Sequence, residues 1–112
     1  MKDLRILAVD DDRAFQMVLQ GTLAQLGYND VTSVPSAAAA LKVIRNSPQL
    51  FDGFLLDIEM PEVDGVELCR RIRAMSVYRK TPIIMVTSLA DKKYVDSAFA
   101  AGATDYFTKP LD

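Results

Sequence analysis

Histidine and tryptophan are absent from the 112 residues, cysteine occurs once, and glycine and proline occur five times each. Each shortage removes a class of function. Without histidine there is no imidazole to bind zinc, to exchange protons near neutrality or to carry a phosphoryl group, so any phosphorylated histidine must belong to a partner. Cys69, being alone, cannot close an internal disulfide. No apolar run approaches the roughly 20 residues of a membrane span, and the first residues enter a strand without a signal-peptide pattern, so the cytoplasm is the expected compartment. Thirteen Lys and Arg against fifteen Asp and Glu give a formal charge of -2. That balance, without a basic cluster, provides no electrostatic footprint for nucleic acid or for an anionic membrane.

What is present is half apolar and a quarter charged, enough for one compact core and too short for two, so a single domain over 1–112 is expected. Short apolar runs alternate with amphipathic stretches: strands over Leu4–Val9, Asp30–Val34, Gly53–Asp57, Pro82–Thr87 and Asp105–Thr108, helices over Arg13–Leu26, Ser36–Asn46, Gly65–Met75 and Asp91–Ala101. This βα alternation predicts an open parallel sheet with right-handed crossovers and, at its centre, strands buried on both faces. The punctuation agrees. Gly27 suits a left-handed helix end, Ser36 an N-cap, and Asn46-Ser47-Pro48 a stop.

Four of the five strands break off on residues able to handle phosphoryl groups or metals. The first ends on Asp10, Asp11 and Asp12, the third on Asp57, the fourth on Thr87 and Ser88, and the fifth on Lys109-Pro110. In an open α/β sheet of order 2-1-3-4-5 the carboxyl ends share one edge, ligands bind there, and the first and third strands are neighbours at the switch point. Asp57 therefore falls beside Asp10 and Asp11. Adjacent carboxylates repel one another and favour a hard, oxygen-seeking cation such as Mg²⁺, for which one or two carboxylates and a carbonyl suffice. We assign Asp10 and Asp11 to the metal and Asp12 to capping the first helix. Asp57 can act as a nucleophile toward phosphorus, while a hydroxyl from Thr87 and an ammonium from Lys109 supply what a phosphoryl group needs on its other side. Ser88 is small enough to leave room for a phosphoryl oxygen, Gly65 provides a flexible turn after Asp57, and Lys109-Pro110 invites a cis peptide that aims the ammonium inward.

Taken together, Val9-Asp10-Asp11, Leu56-Asp57 with Met60-Pro61 and Asp64-Gly65, Val86-Thr87-Ser88, Ala101-Gly102-Ala103 and Tyr106 with Lys109-Pro110 give a chain that resembles the receiver domain of a bacterial two-component response regulator, of the stand-alone chemotaxis type. The resemblance runs over essentially the whole length and implies the flavodoxin-like, doubly wound five-stranded fold. It implies phosphorylation of Asp57 by a histidine kinase, a phosphotransfer protein or a small-molecule phosphodonor, with Mg²⁺ held by Asp10, Asp11, Asp57 and the backbone carbonyl of Glu59. Thr87 and Lys109 would grip the phosphoryl oxygens. Thr87, drawn inward, would vacate space for Tyr106, whose rotamer reports the state to the fourth-helix surface, where a downstream effector or an output domain reads it. Asp12 and Glu59 are acids additional to the pattern and bear on dephosphorylation.

Rival readings make distinct demands. A flavodoxin-like cofactor binder needs a phosphate-cradling loop after the first strand, where three aspartates would repel a phosphate. An aspartate-nucleophile phosphatase shares the spacing of Asp10 and Asp12, but Arg13-Ala14 follow and there is no room for a cap domain. A pseudo-receiver would not retain a complete site. The pattern also lacks a helix after the fifth strand, so we expect a domain truncated before its last helix, either marginally stable or a homodimer through the uncovered face or the fourth-helix surface.

Overall fold

The computed structural model describes residues 3–110. Within them, β1 (Arg5–Val9), β2 (Asp30–Val34), β3 (Gly53–Leu56), β4 (Ile83–Thr87) and β5 (Asp105–Thr108) alternate with α1 (Arg13–Gln25), α2 (Ala37–Asn46), α3 (Gly65–Arg73) and α4 (Lys92–Ala100). All strand pairs are parallel, as the alternation predicts, and the order is β2-β1-β3-β4-β5, that of the flavodoxin-like fold the resemblance implies.

Helix starts follow from local chemistry. The side chains of Asp12, Ser36 and Asp64 accept hydrogen bonds from the N–H groups of Phe15, Ala39 and Glu67, at 3.2, 3.1 and 2.9 Å, satisfying donors that a first turn leaves free. Asp12 is thus a cap. Gly27 ends α1 with φ +94°, in the left-handed region. Several expected boundaries draw in by one or two residues. Ser36 is extended and outside α2, and α3 stops at Arg73 because a 3₁₀ turn, Ser76–Tyr78, carries the chain under the sheet. Tyr78 is buried there, edge-on to Phe54 at 5.0 Å, and its hydroxyl accepts from the N–H of Phe51.

Register explains the core. Leu7, Phe54 and Ile83 form one cross-strand row and Val9, Leu56 and Met85 the next, all on one face. Ala37, Ala40 and Ile44 of α2, Leu68, Cys69 and Ile72 of α3 and Ala98 of α4 join them in the same buried cluster. Burial raises the pKa of the Cys69 thiol, so that side chain belongs to packing. The guanidinium of Arg73 donates to the carbonyls of Gly102, Tyr78 and Thr81 at 2.6–2.8 Å and ties α3 to the segments that precede β4 and β5.

The opposite face is less covered. Ile6, Leu55 and Ile84 line a groove of about 240 Å³ with Leu23 of α1, Leu4 and Tyr28. Phe107, on the same face of β5, is 48% exposed.

Candidate functional site

Three of the site residues are fixed by backbone hydrogen bonds at the carboxyl ends of the strands. Asp10 N–H donates to Val34 O (3.1 Å), Asp57 N–H to Val9 O (2.9 Å) and Lys109 N–H to Thr87 O (2.9 Å). The side chains therefore leave the sheet from rigid backbone. Among the described residues, Asp10, Asp57 and Thr87 are the buried polar ones, whereas Asp11 is exposed.

Gly65 serves these residues by absence of bulk. A Cβ at this position would stand 1.9 Å from the carbonyl oxygen of Asp57, and the N–H of Gly65 donates to Ile58 O at 2.9 Å. The expectation of a flexible turn is corrected here. Gly65 is the first residue of α3, and what it provides is close approach of the helix to the Asp57 backbone.

Carboxylate oxygens of Asp10, Asp11 and Asp57 lie within 4.8 Å of one another. Asp10 is satisfied on both oxygens: Oδ1 accepts from the N–H of Asp12 (2.9 Å) and Oδ2 from Lys109 Nζ (2.7 Å). Lys109 Nζ also approaches Asp57 Oδ2 at 3.5 Å. Asp57 Oδ1 is buried and accepts no hydrogen bond. A buried, unsatisfied oxygen in a group of three carboxylates facing one ammonium is a donor set matched to a hard divalent cation.

Burial is the main cause that raises the pKa of Asp57, and the charge of Asp10 adds to it. The nearby Thr87 hydroxyl, Lys109 and the Ile58 N–H oppose that shift without reversing it, and no well-aligned hydrogen bond closes on Oδ1. For Lys109, burial works against the charged form, but the bond to Asp10 and the charges of Asp57 and Asp10 outweigh it and raise its pKa. The ammonium is firmly charged.

The remaining candidates are spread around this centre. Thr87 Oγ1 accepts from the N–H of Leu89 at 3.4 Å, and Ser88 is exposed at the end of β4. Glu59 is exposed and, with Asp11, Met60 and Pro61, lines a shallow cleft of about 310 Å³ at the acidic cluster. Tyr106 is half-buried, and its hydroxyl donates to Leu89 O at 2.6 Å, on the loop that follows Thr87. Burial raises its pKa, and the charge of Asp57 acts in the same direction. The Lys109–Pro110 peptide is cis and the ammonium points inward.

Two contributors escape sequence reasoning. The Phe15 ring stands under Lys109, with Nζ 4.1 Å from its centroid, and the Gln16 amide donates to the carbonyls of Asp10 and Val34. In the sequence both are ordinary positions of an amphipathic helix. No local signal marks them.

This edge joins a buried carboxylate, a cluster of acids compatible with a divalent cation, a hydroxyl and an ammonium, a set suited to accepting a phosphoryl group. A family model described as the response regulator receiver domain matches residues 6–112. The chain is 36% identical over 109 residues to the 3′,5′-cyclic-nucleotide phosphodiesterase regA of Dictyostelium discoideum, covering 96% of this chain but 14% of that protein's length. It is 33% identical over 108 residues to a chemotaxis protein CheY homolog of Campylobacter jejuni, covering 96% of this chain and 82% of that one. Among solved structures, a putative response regulator from Chloroflexus aurantiacus superposes with a TM-score of 0.91 at 34% identity, over 99% of this chain and 88% of the other. The sequence motifs, the sheet order and these likenesses converge on one family, and the chain belongs to the receiver domains of two-component response regulators.

Proposed function

We propose that Asp57 is the phosphoacceptor of this receiver domain, and the observation that carries the reading is its buried, unsatisfied Oδ1 beside two further carboxylates and Lys109. In the reaction an Asp57 oxygen attacks phosphorus of a donor. The donor's P–N bond breaks when it is a partner's phosphohistidine, or its P–O bond when it is a small molecule such as acetyl phosphate, and an acyl phosphate forms on Asp57. The leaving group departs with the bonding electron pair. Desolvation leaves the carboxylate's charge poorly compensated, which favours its transfer into a new bond.

Carboxylates of Asp10, Asp11 and Asp57, with the backbone carbonyl of Glu59, would hold Mg²⁺, which when bound neutralises charge on the phosphoryl oxygens. The chain's own groups do the rest. Lys109 Nζ, already 3.5 Å from Asp57 Oδ2, shifts from Asp10 to a phosphoryl oxygen, and the Thr87 hydroxyl donates to another. Ser88, small and exposed, leaves that side open.

Phosphorylation switches a surface only through contacts that differ between two states. Thr87 and Tyr106 meet on one loop: Leu89 donates its N–H to Thr87 Oγ1 and accepts from the Tyr106 hydroxyl with its carbonyl. Movement of Thr87 toward a phosphoryl oxygen thus alters the support of Tyr106 and the surface formed by α4 and β5.

In this reading the domain signals rather than turns over substrate, in the cytoplasm, between a histidine kinase or phosphotransfer protein and an effector protein or output domain. It contacts neither nucleic acid nor membrane itself. Among the described residues no helix is long and apolar enough to cross a membrane. The phosphatase alternative would use Asp12 as its acid, and one oxygen of that carboxylate accepts the N–H of Phe15 to cap α1. We further propose that the chain self-associates through its open face, at Leu4, Leu23, Tyr28 and Phe107, or through the α4 surface.

The test is incorporation of label from acetyl phosphate in the presence of Mg²⁺. The parent chain should take up one phosphoryl group in an acyl linkage that hydroxylamine cleaves, and Asp57→Asn should take up none. Persistent stoichiometric labelling of Asp57→Asn would overturn the assignment.

A further inference from the structure

Lys109 is a point charge on a flexible stem, able to fold outward into water as readily as inward, so something has to hold it over the carboxylates. Its ammonium touches three groups: Asp10 Oδ2 at 2.7 Å, Asp57 Oδ2 at 3.5 Å and the face of Phe15, 4.1 Å from the ring centroid. Only 14% of the Lys109 side chain is exposed. The ring's negative face attracts the cation and its area displaces the water that would otherwise solvate it.

Phe15 is itself firmly placed. Its N–H donates to the Asp12 carboxylate, which caps α1, and the adjacent Gln16 amide is bonded to the carbonyls of Asp10 and Val34. The first turn of α1 is therefore anchored on both sides of the ring. The capping aspartate and the helix register deliver an aromatic side chain to a strand end that is 94 residues away in sequence, since Lys109 follows β5.

We propose that Phe15 is a positioning residue of the phosphoacceptor site: its ring holds the Lys109 ammonium inward and shields that side of Asp57 from water, which sets the rate of phosphoryl uptake and the lifetime of the acyl phosphate. The kinetic part rests on the reading of Asp57 as phosphoacceptor, whereas the holding of Lys109 does not. During hydrolysis, water attacks phosphorus, the P–O bond to Asp57 breaks, inorganic phosphate leaves and the carboxylate is regenerated. Phe15 takes no part in bond making. It limits the approach of water and keeps the ammonium where a phosphoryl oxygen will lie.

Three variants separate these effects. Phe15→Tyr keeps an aromatic face, Phe15→Leu keeps apolar bulk without it, and Phe15→Ala removes both. The first readout is NMR of the Lys109 side chain in the unphosphorylated protein. A Lys109 ε-methylene over a ring is shifted upfield, and the shift should persist in Phe15→Tyr and vanish in Phe15→Leu and Phe15→Ala. The second is kinetics with acetyl phosphate and Mg²⁺. Uptake should fall by about two- to fivefold in Phe15→Leu, the factor expected for loss of one cation–π contact, with Phe15→Tyr near the parent. Decay of the acyl phosphate should be fastest in Phe15→Ala. An unshifted Lys109 in the parent, or Phe15→Tyr and Phe15→Leu equally impaired, would overturn the proposal. A parent that shifts Lys109 as described but takes no label on Asp57 would instead overturn the phosphoacceptor reading and leave the holding of Lys109 demonstrated.

Discussion

Lys109 Nζ lies 2.7 Å from Asp10 Oδ2 and 3.5 Å from Asp57 Oδ2, so the ammonium of the site is paired first with Asp10 and only second with Asp57, the proposed phosphoacceptor. A divalent cation held by the cluster would compete with this lysine for Asp10. Replacing Lys109 by Met should raise Mg²⁺ affinity while slowing phosphoryl uptake at least tenfold, because the ammonium that would meet the phosphoryl group is gone. Calorimetric titration with Mg²⁺ and labelling by acetyl phosphate, run on the same variant, check the opposed signs. Weaker Mg²⁺ binding in Lys109→Met would contradict the competition.

Asp57 carries a pH signature. Its pKa is raised on folding, chiefly by burial, so the native state favours the protonated form more than the unfolded chain does. The stability this supplies is complete below the ordinary value of 3.8 and is lost as pH rises through the higher folded value. At pH 7 the parent bears an ill-compensated carboxylate. Asp57→Asn should therefore raise Tm by a few degrees at neutral pH, a size typical of about 1 kcal/mol in a domain of this length, and the gain should disappear in acid. Thermal unfolding of both proteins from pH 3 to pH 8, without divalent ions, measures it.

Cation binding should appear as stability. Mg²⁺ bound by the folded cluster and not by the unfolded chain should raise the unfolding free energy by about 2.7 kcal/mol at a hundred times Kd, and Tm should climb with Mg²⁺ concentration accordingly. Asp11→Ala, which removes an exposed carboxylate from the cluster without touching the core, should abolish most of that increase. A parent Tm indifferent to Mg²⁺ would count against the site.

Gly65→Ala places a methyl group 1.9 Å from the Asp57 carbonyl oxygen, a backbone atom that cannot swing aside. We expect a loss of roughly 3 kcal/mol, at the upper end of overpacking costs, and impaired phosphoryl uptake because the Asp57 backbone must shift. Gly21→Ala, on an open surface, should be neutral or slightly stabilising. Urea denaturation of the pair distinguishes close approach from a general glycine effect.

The open face bears on association. Leu4 and Tyr28, 45% and 38% exposed, line the groove that Leu23 shares with the sheet, and Phe107, 48% exposed, stands on the same sheet face. Sedimentation equilibrium of the 112-residue chain should show a dimer that Phe107→Glu dissociates, and a parent that stays monomeric at millimolar concentration would exclude this association.

The fold and most of the site were legible in the sequence because both depend on local and periodic features. Alternation of apolar runs with amphipathic stretches determines a parallel βα sheet, and residues at strand ends reach the carboxyl edge whatever the details of packing. That reasoning placed Asp10, Asp11, Asp57, Thr87 and Lys109 on one edge and assigned the cap to Asp12. Tertiary structure alone decided which of these groups touch: that Lys109 pairs first with Asp10, that Asp57 Oδ1 is left without a donor, and that Tyr106 and Thr87 share the Leu89 backbone. It also decided that Gly65 is needed for proximity rather than flexibility, and that Phe15 is the floor beneath the lysine. The physical reason is range. Propensity, capping and periodicity act within a few residues, whereas the partner of a buried charge is selected by desolvation and packing among segments that only the folded chain brings together.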